Sequence, residues 1–248
     1  MMKDPLSRTE AHAYWVARHE TRPGKWDAVG YQSGDAALNQ AFYECRMRAL
    51  RQSLVDEKLD LTNKRVLDVG CGLGTFSRYY HSRGAQVFGV DVSPKAVEHC
   101  NSLGIGQFTV CEAGALRSHF DQPFDLIHCF DVLYHITDDN EWETALGGYA
   151  GLSHSTTRWL LTEFHVPNRH VVSAHVVKRS VGDYDTQLAK FGWKIKKERA
   201  IFGLHARYPG LVARFPALMP LTEPFGTVLT RGLSEWVALW TVRQQDDT

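Results

Sequence analysis

The stretch Val66–Ser77, VLDVGCGLGTFS, sets Gly70, Gly72 and Gly74 at alternate positions directly after a short apolar run that contains Asp68. An apolar run that gives way to glycines and then to a helix-forming segment reads as strand, tight turn and helix, with a turn backbone open to close approach by a ligand. Working outward, KRVLDVG is a buried strand, TFSRYYHSRG a helix closed by Gly84, and AQVFGVD a second strand. SPKAVEHCNSLG is a second helix, with Ser93 at the N-cap, Pro94 in the first turn and Gly104 as the stop. QFTVCEA and FDLIHCF follow as strands, then a helix from about Asp138 to Leu152 and a fifth strand, RWLLTEFHV. DYDTQLAKFGW predicts a helix ending at Gly192, WKIKKERAI a half-exposed strand, and WVALWTVR the strand that closes the sheet. The alternation predicts an α/β, Rossmann-like fold: a seven-stranded, mostly parallel sheet with an antiparallel last strand and helices on both faces.

Two segments frame this unit. Residues 1–60 form an expected helical cap or lid, aromatic at Tyr14, Trp15, Trp26 and Tyr31 and carrying His19, ahead of the helical stretch ALNQAFYECRMRALRQSLVDEKL. Residues 61–248 form the main domain, with an apolar insert over about 202–233 that Pro209, Pro216, Pro220 and Pro224 interrupt. Such a long connection is more often a functional cover than a plain loop. A roof over an acceptor pocket is the preferred reading, with a homodimer contact or a membrane-surface rest as alternatives.

Bulk composition excludes several classes. Lys+Arg and Asp+Glu balance at 28 each, so no basic field exists to condense on nucleic acid. The five cysteines are scattered and contain no C-x-x-C, against a disulfide framework or zinc site and in favour of a reduced, cytoplasmic setting. No stretch approaches the length of a membrane span, and the polar N-terminus MMKDPLSRTE has no targeting pattern.

The acids narrow the ligand. The third glycine falls at G-x-G-x-G rather than at the G-x-G-x-x-G of dinucleotide folds, and Asp68 before the turn repels a pyrophosphate but attracts an ammonium group. Asp91 ends the second strand about twenty residues beyond the first glycine, where an acid accepts from both ribose hydroxyls. Glu112 and Ala113 end the third, in reach of an exocyclic amine. Adenosine joined to a cationic amino-acid tail is S-adenosylmethionine, which argues against a nicotinamide oxidoreductase.

VLDVGCGLGTFS, VFGVDVS, CEAGAL and FDLIHCFDVLYHI resemble the motifs of the class I S-adenosylmethionine-dependent methyltransferases, in the branch of ubiquinone-type and "type 12" small-molecule enzymes. The resemblance covers about Leu61 to Ile201 and the last strand. It implies that Asp68, Gly70, Cys71, Gly72 and Gly74 surround the methionine part, Asp91 and Val92 the ribose, and Glu112 and Ala113 the adenine, with Phe130 also at the cofactor and S-adenosylhomocysteine as product. The family more often has aspartate where Glu112 stands. A YW pair, then WD, then an N-x-x-F-Y-x-x-R-x-R-x-L helix looks like methyltransferases of bacterial polysaccharide pathways and tilts the acceptor toward a hydroxyl on a glycan or small metabolite.

A hydroxyl acceptor needs its proton removed, and histidine suits neutral pH. His135 in DVLYHI is the first candidate base and His165 in TEFHV the second, against the alternative that such a histidine only orders its loop. Asp131 is expected to orient a histidine, bind the acceptor or cap a helix. Arg46, with Arg48, is placed to reach the cofactor carboxylate, or else belongs to a packing helix with a solvated basic face. A metal held by Asp131, Glu163 and His165 lacks a tight ligand motif, and none is expected. The alternatives to O-methylation are N- or C-methylation of a metabolite such as a quinone precursor, and an accessory protein that binds the cofactor without catalysis.

Overall fold

The structure, a computed structural model, describes residues 4–30, 36–164, 166–202, 209–218 and 236–244. Three N-terminal helices, α1 (Arg8–Thr21), α2 (Trp26–Val29) and α3 (Ala36–Asp56), precede the first strand, β1 (Arg65–Val69). Then come α4 (Thr75–Ser82), β2 (Gln86–Asp91), α5 (Pro94–Ser102), β3 (Gln107–Val110), β4 (Phe124–Cys129), α6 (Asp139–Gly151) and β5 (Ser153–Phe164). A hairpin, β6 (His170–Ser173) and β7 (Val176–Lys178), leads to α7 (Val181–Lys190), β8 (Trp193–Ala200), α8 (Pro209–Arg214) and β9 (Trp236–Arg243).

Local chemistry fixes the helix starts. Ser93 Oγ accepts from Ala96 N, Asp138 accepts from Asn140 N and Glu141 N, and Ser7 and Ser180 form capping boxes with Glu10 and Asp183. Gly84, Gly104 and Gly192 follow their helices at φ of 78°, 65° and 75°, the left-handed region open to glycine.

The sheet runs β3-β2-β1-β4-β5-β9-β8 and is parallel except at β9, which is antiparallel to both neighbours. WVALWTVR therefore lies inside the sheet rather than at its edge. Its apolar run serves both faces, with Ala238 and Trp240 in one core cluster and Val237 and Leu239 in the other. The alternating, lysine-rich WKIKKERA forms the edge, where Lys196 pairs with Glu57 and Lys197 and Arg199 with Asp56 at the end of α3.

Two apolar layers enclose the sheet. One joins Phe42, Cys45, Leu50 and Leu54 of α3 to Phe76 and Tyr80 of α4 and Val97 of α5. The other sets Trp142, Leu146 and Tyr149 of α6 and Tyr184 and Leu188 of α7 beneath β4 and β5, with Trp159 and Trp193 stacked at 4.1 Å. The strand β5 starts five residues before RWLLTEFHV, and the β6–β7 hairpin has no counterpart among the sequence-based elements. Most of the proline-broken insert lies outside the described residues; Phe202 and Val212 are buried, whereas Leu211, Phe215 and Leu218 are exposed.

Glu163 near the end of β5 is fully buried beside the Tyr184 hydroxyl, which accepts from Trp142 Nε1 at 3.0 Å. Burial pushes its carboxyl up to about 8, only partly opposed by Tyr184 and the Arg179 guanidinium. Between its ordinary value and about 8 the folded state binds more protons than the unfolded chain, so the carboxyl erodes stability as pH rises through that window. Glu163→Gln is expected to be more stable than the wild type by about 1–3 kcal/mol above about pH 8, with the difference vanishing near about pH 4.5, in urea unfolding. A pH-independent difference would contradict the neutral buried carboxyl.

Candidate functional site

The carboxyl ends of β1 to β4 open into one cleft of about 270 Å³, where an open α/β sheet places its ligand. Its floor is the glycine turn. Gly70 and Gly72 sit at φ of 76° and 50°, and Gly70 N and Cys71 N donate to Val90 O at 2.8 and 3.0 Å. A Cβ at Gly70 would meet Val132 Cγ2 at 2.3 Å, and one at Gly72 would meet Val29 Cγ1 at 2.9 Å. Both glycines are thus required by conformation and by space.

Asp91 lines the cleft and is aimed by the backbone: Gly72 N donates to Oδ2 at 3.0 Å and Ser93 N to Oδ1 at 2.9 Å. Burial raises its pKa and nearby His19 opposes this; His19, buried on α1, is held below its ordinary range by the same burial. Each carboxylate oxygen keeps a second lone pair for an incoming hydroxyl.

One face of α1 forms the opposite wall. Arg8, Ala11, His12, Trp15 and His19, at helical spacing, all line the cleft. Arg8 Nε donates to Glu112 Oε2 at 2.8 Å, and His12 Nε2 donates to Val92 O at 3.2 Å. Thr137 Oγ1 donates to Leu6 O at 2.7 Å and Leu6 N to Ala174 O at 2.6 Å, fastening the start of α1 to the loop after β4 and to the hairpin. Arg18 fixes the other end, its Nη2 donating to the carbonyls of Asp27 and Gly30 at 2.5 Å.

The loop after β4 supplies Phe130, Asp131 and His135. Asp131 adopts a left-handed φ of 60°, rare for a residue with a side chain. Thr162 secures it, accepting from Asp131 N at 2.7 Å and donating to Oδ1 at 3.0 Å. Arg46 of α3 ion-pairs with the remaining Asp131 oxygen and stacks on Phe202 and Tyr43 at 4.7 and 5.3 Å. His135 Nδ1–H donates to His175 O at 2.6 Å, which leaves the lone pair on Nε2. Burial pushes His135 down to about 3. Trp15 packs on its ring at 4.6 Å, and His175 stacks at 5.6 Å.

Of the residues expected at the site, Gly70, Gly72, Asp91, Val92, Glu112, Ala113, Phe130, Asp131 and His135 do line the cleft. Asp68, Cys71, Gly74 and Arg46 are not in its wall. Asp68 lies behind the turn, bonded to Ser77 and His128; Cys71 turns into the core; Gly74 is the N-cap of α4. Arg46 meets Asp131, and Asp131 orients Arg46 rather than a histidine. Arg48 is exposed. His165 and Tyr31 lie outside the described residues. Glu163 faces Tyr184 and Asp131 faces Arg46, and the described residues contain no cluster of three or more metal-ligating side chains. Arg8, His12 and His175 escaped the sequence reading; the i, i+3, i+4 spacing of Arg8, Ala11, His12 and Trp15 was the available signal for the first two.

A methyltransferase domain family matches residues 66–152. Ubiquinone biosynthesis O-methyltransferases of Pseudomonas fluorescens (strain SBW25) and Pseudomonas putida (strain W619) are 37% and 38% identical over 94 residues, 36% of this chain. The chain matches about 40% of the length of these relatives. Magnesium protoporphyrin IX methyltransferase from Synechocystis PCC 6803, with bound S-adenosylhomocysteine, superposes at a TM-score of 0.65 and 17% identity over 96% of this chain and 100% of that one. Burkholderia thailandensis 1,6-didemethyltoxoflavin-N1-methyltransferase gives 0.59 at 15% identity over 98% and 94%. The match to the methyltransferase domain runs from β1 through α6, and the whole sheet has the same fold as these solved methyltransferases.

Proposed function

We propose that the protein methylates a hydroxyl oxygen of a small molecule or glycan, with S-adenosylmethionine as methyl donor. The observation that carries this reading is the single cleft in which the glycine turn, the backbone-aimed Asp91, Glu112 and the lone pair of His135 meet. The residues fit the donor: the turn has no room for side chains, Asp91 retains two acceptor sites for ribose hydroxyls, and Glu112 and Ala113 stand at the nucleobase end. Asp131, which lines the cleft and is held by Arg46 behind it, offers a carboxylate to the ammonium of the amino-acid tail.

S-adenosylmethionine held here would supply a methyl carbon on a sulfonium, so that the C–O bond to the acceptor forms as the S–C bond breaks and its electron pair goes to the sulfur of S-adenosylhomocysteine. The protein's share is alignment and proton removal. The α1 wall covers the cleft, and Trp15 and His175 fix the plane of His135. His135 stays neutral far below neutral pH, so Nε2 accepts the acceptor's O–H. As the new C–O bond forms, that proton becomes strongly acidic, and even a weakly basic imidazole takes it.

His135→Ala is expected to lower kcat by about 10²–10⁴-fold while the Kd for S-adenosylmethionine stays within about threefold. His135→Gln should remain equally slow, because an amide can order the loop but cannot take the proton; rescue by Gln would contradict the assignment. The wild-type kcat/KM is expected to show no histidine inflection between about pH 5 and 8, since burial holds His135 down to about 3. Production of S-adenosylhomocysteine with a panel of sugar and phenol acceptors tests the reaction class, and methylation only at nitrogen or carbon would overturn it. Arg8→Gln, which unfastens α1 from Glu112, should speed S-adenosylhomocysteine release about two- to fivefold in stopped-flow, as befits a half-exposed ion pair.

A further inference from the structure

Asp68 and His128 are register partners on the adjacent parallel strands β1 and β4, so their side chains leave the same face of the sheet side by side. Both are 1% exposed. His128 Nδ1–H donates to Asp68 Oδ1 at 2.9 Å, and Ser77 Oγ–H from α4 donates to Oδ2 at 2.5 Å. The next residues along this row are Gly89 beside Asp68 and Leu160 beside His128, so neither flanking strand offers the carboxylate another donor.

The imidazole is enclosed by Phe76, Tyr80 and Phe130 at 4.7, 5.5 and 4.1 Å, and its Nε2 has no hydrogen-bond partner among the described residues. A carboxylate can only accept, so Nδ1 carries the hydrogen. A second hydrogen on Nε2 would bury a cationic N–H without an acceptor, which is worse than a bare ring nitrogen. The trio of Ser77, Asp68 and His128 therefore keeps one negative charge, buried two residues before Gly70. Its donors already occupy both oxygens from the protein side, and Asp68 is absent from the cleft wall. It acts on a ligand through its field, which low-dielectric surroundings screen little.

We propose that His128 is a positioning residue of the donor site: by holding the Asp68 carboxylate oriented behind the glycine turn, it makes the cleft favour the sulfonium of S-adenosylmethionine over the neutral sulfur of S-adenosylhomocysteine. This rests on the donor assignment above. The two ligands share adenosine and the amino-acid tail and differ in one positive charge, so a fixed negative field changes the ratio of their affinities, whereas a packing defect weakens both alike. His128 also touches Phe130, which lines the cleft, so the same ring sets the wall beside which the charge difference is read.

The test is calorimetric titration of the full chain with S-adenosylmethionine and with S-adenosylhomocysteine for wild type, His128→Leu, His128→Asn and Asp68→Asn. The preference for S-adenosylmethionine is expected to fall about fivefold or more in His128→Leu and in Asp68→Asn, with S-adenosylhomocysteine affinity little changed. His128→Asn, whose side-chain N–H takes the place of Nδ1–H, should retain the wild-type ratio. Equal loss of both affinities in His128→Leu would overturn the proposal in favour of packing. Should His128→Leu fail to fold, Asp68→Asn decides, and a wild-type ratio there overturns the proposal. A wild-type protein that binds neither ligand would instead overturn the donor assignment, and this inference with it.

Discussion

The structure depends on how closely the turn after β1 approaches its neighbours. A single methyl group on Gly70 would collide with Val132 of the loop after β4, and one on Gly72 with Val29 of α2. The bare turn thus lets three distant segments meet: the first strand, the loop that carries Asp131 and His135, and the N-terminal helices. Because the backbone rather than side chains makes this meeting point, its N–H groups are free to aim Asp91. The cleft follows from that proximity.

Four acids at or behind the cleft are held by donors of the protein. Asp68 has Ser77 and His128, Asp91 two backbone amides, Glu112 has Arg8, and Asp131 has Thr162 and Arg46. Ionised groups of this kind are expensive to bury unless hydrogen-bonded, and these bonds fix their direction before a ligand arrives. The side-chain partners come from α1, α3, α4, β4 and β5, so the N-terminal helices are part of the site's electrostatics as well as its cover.

The central sheet was readable from the sequence because its signals are local: glycine turns, capping serines and short apolar runs each specify one element. The place of the last strand was also written in its composition. WVALWTVR has the two-sided apolar character of an inner strand and WKIKKERAI the one-sided character of an edge. The β6–β7 hairpin turns at Ala174–His175, with no glycine or asparagine to mark it, and so left no local trace. Asp91, Glu112 and His135 line the cleft because each ends a strand or follows one. Asp68 and Arg46 stand outside the cleft wall, since nearness to a motif does not say which way a side chain points; His128 and Ser77, which capture Asp68, are joined to it only by sheet register and helix packing.

The glycine turn, Asp91 and Glu112 suit this cleft to an adenosine joined to a charged amino-acid tail. Calorimetry of the purified protein with S-adenosylmethionine, S-adenosylhomocysteine and NAD, with Asp91→Ala alongside, tests it most directly. Micromolar binding of the first two, no binding of NAD, and loss of binding in Asp91→Ala are the predicted results. Binding of NAD in preference to both, or unaltered binding in Asp91→Ala, would contradict it.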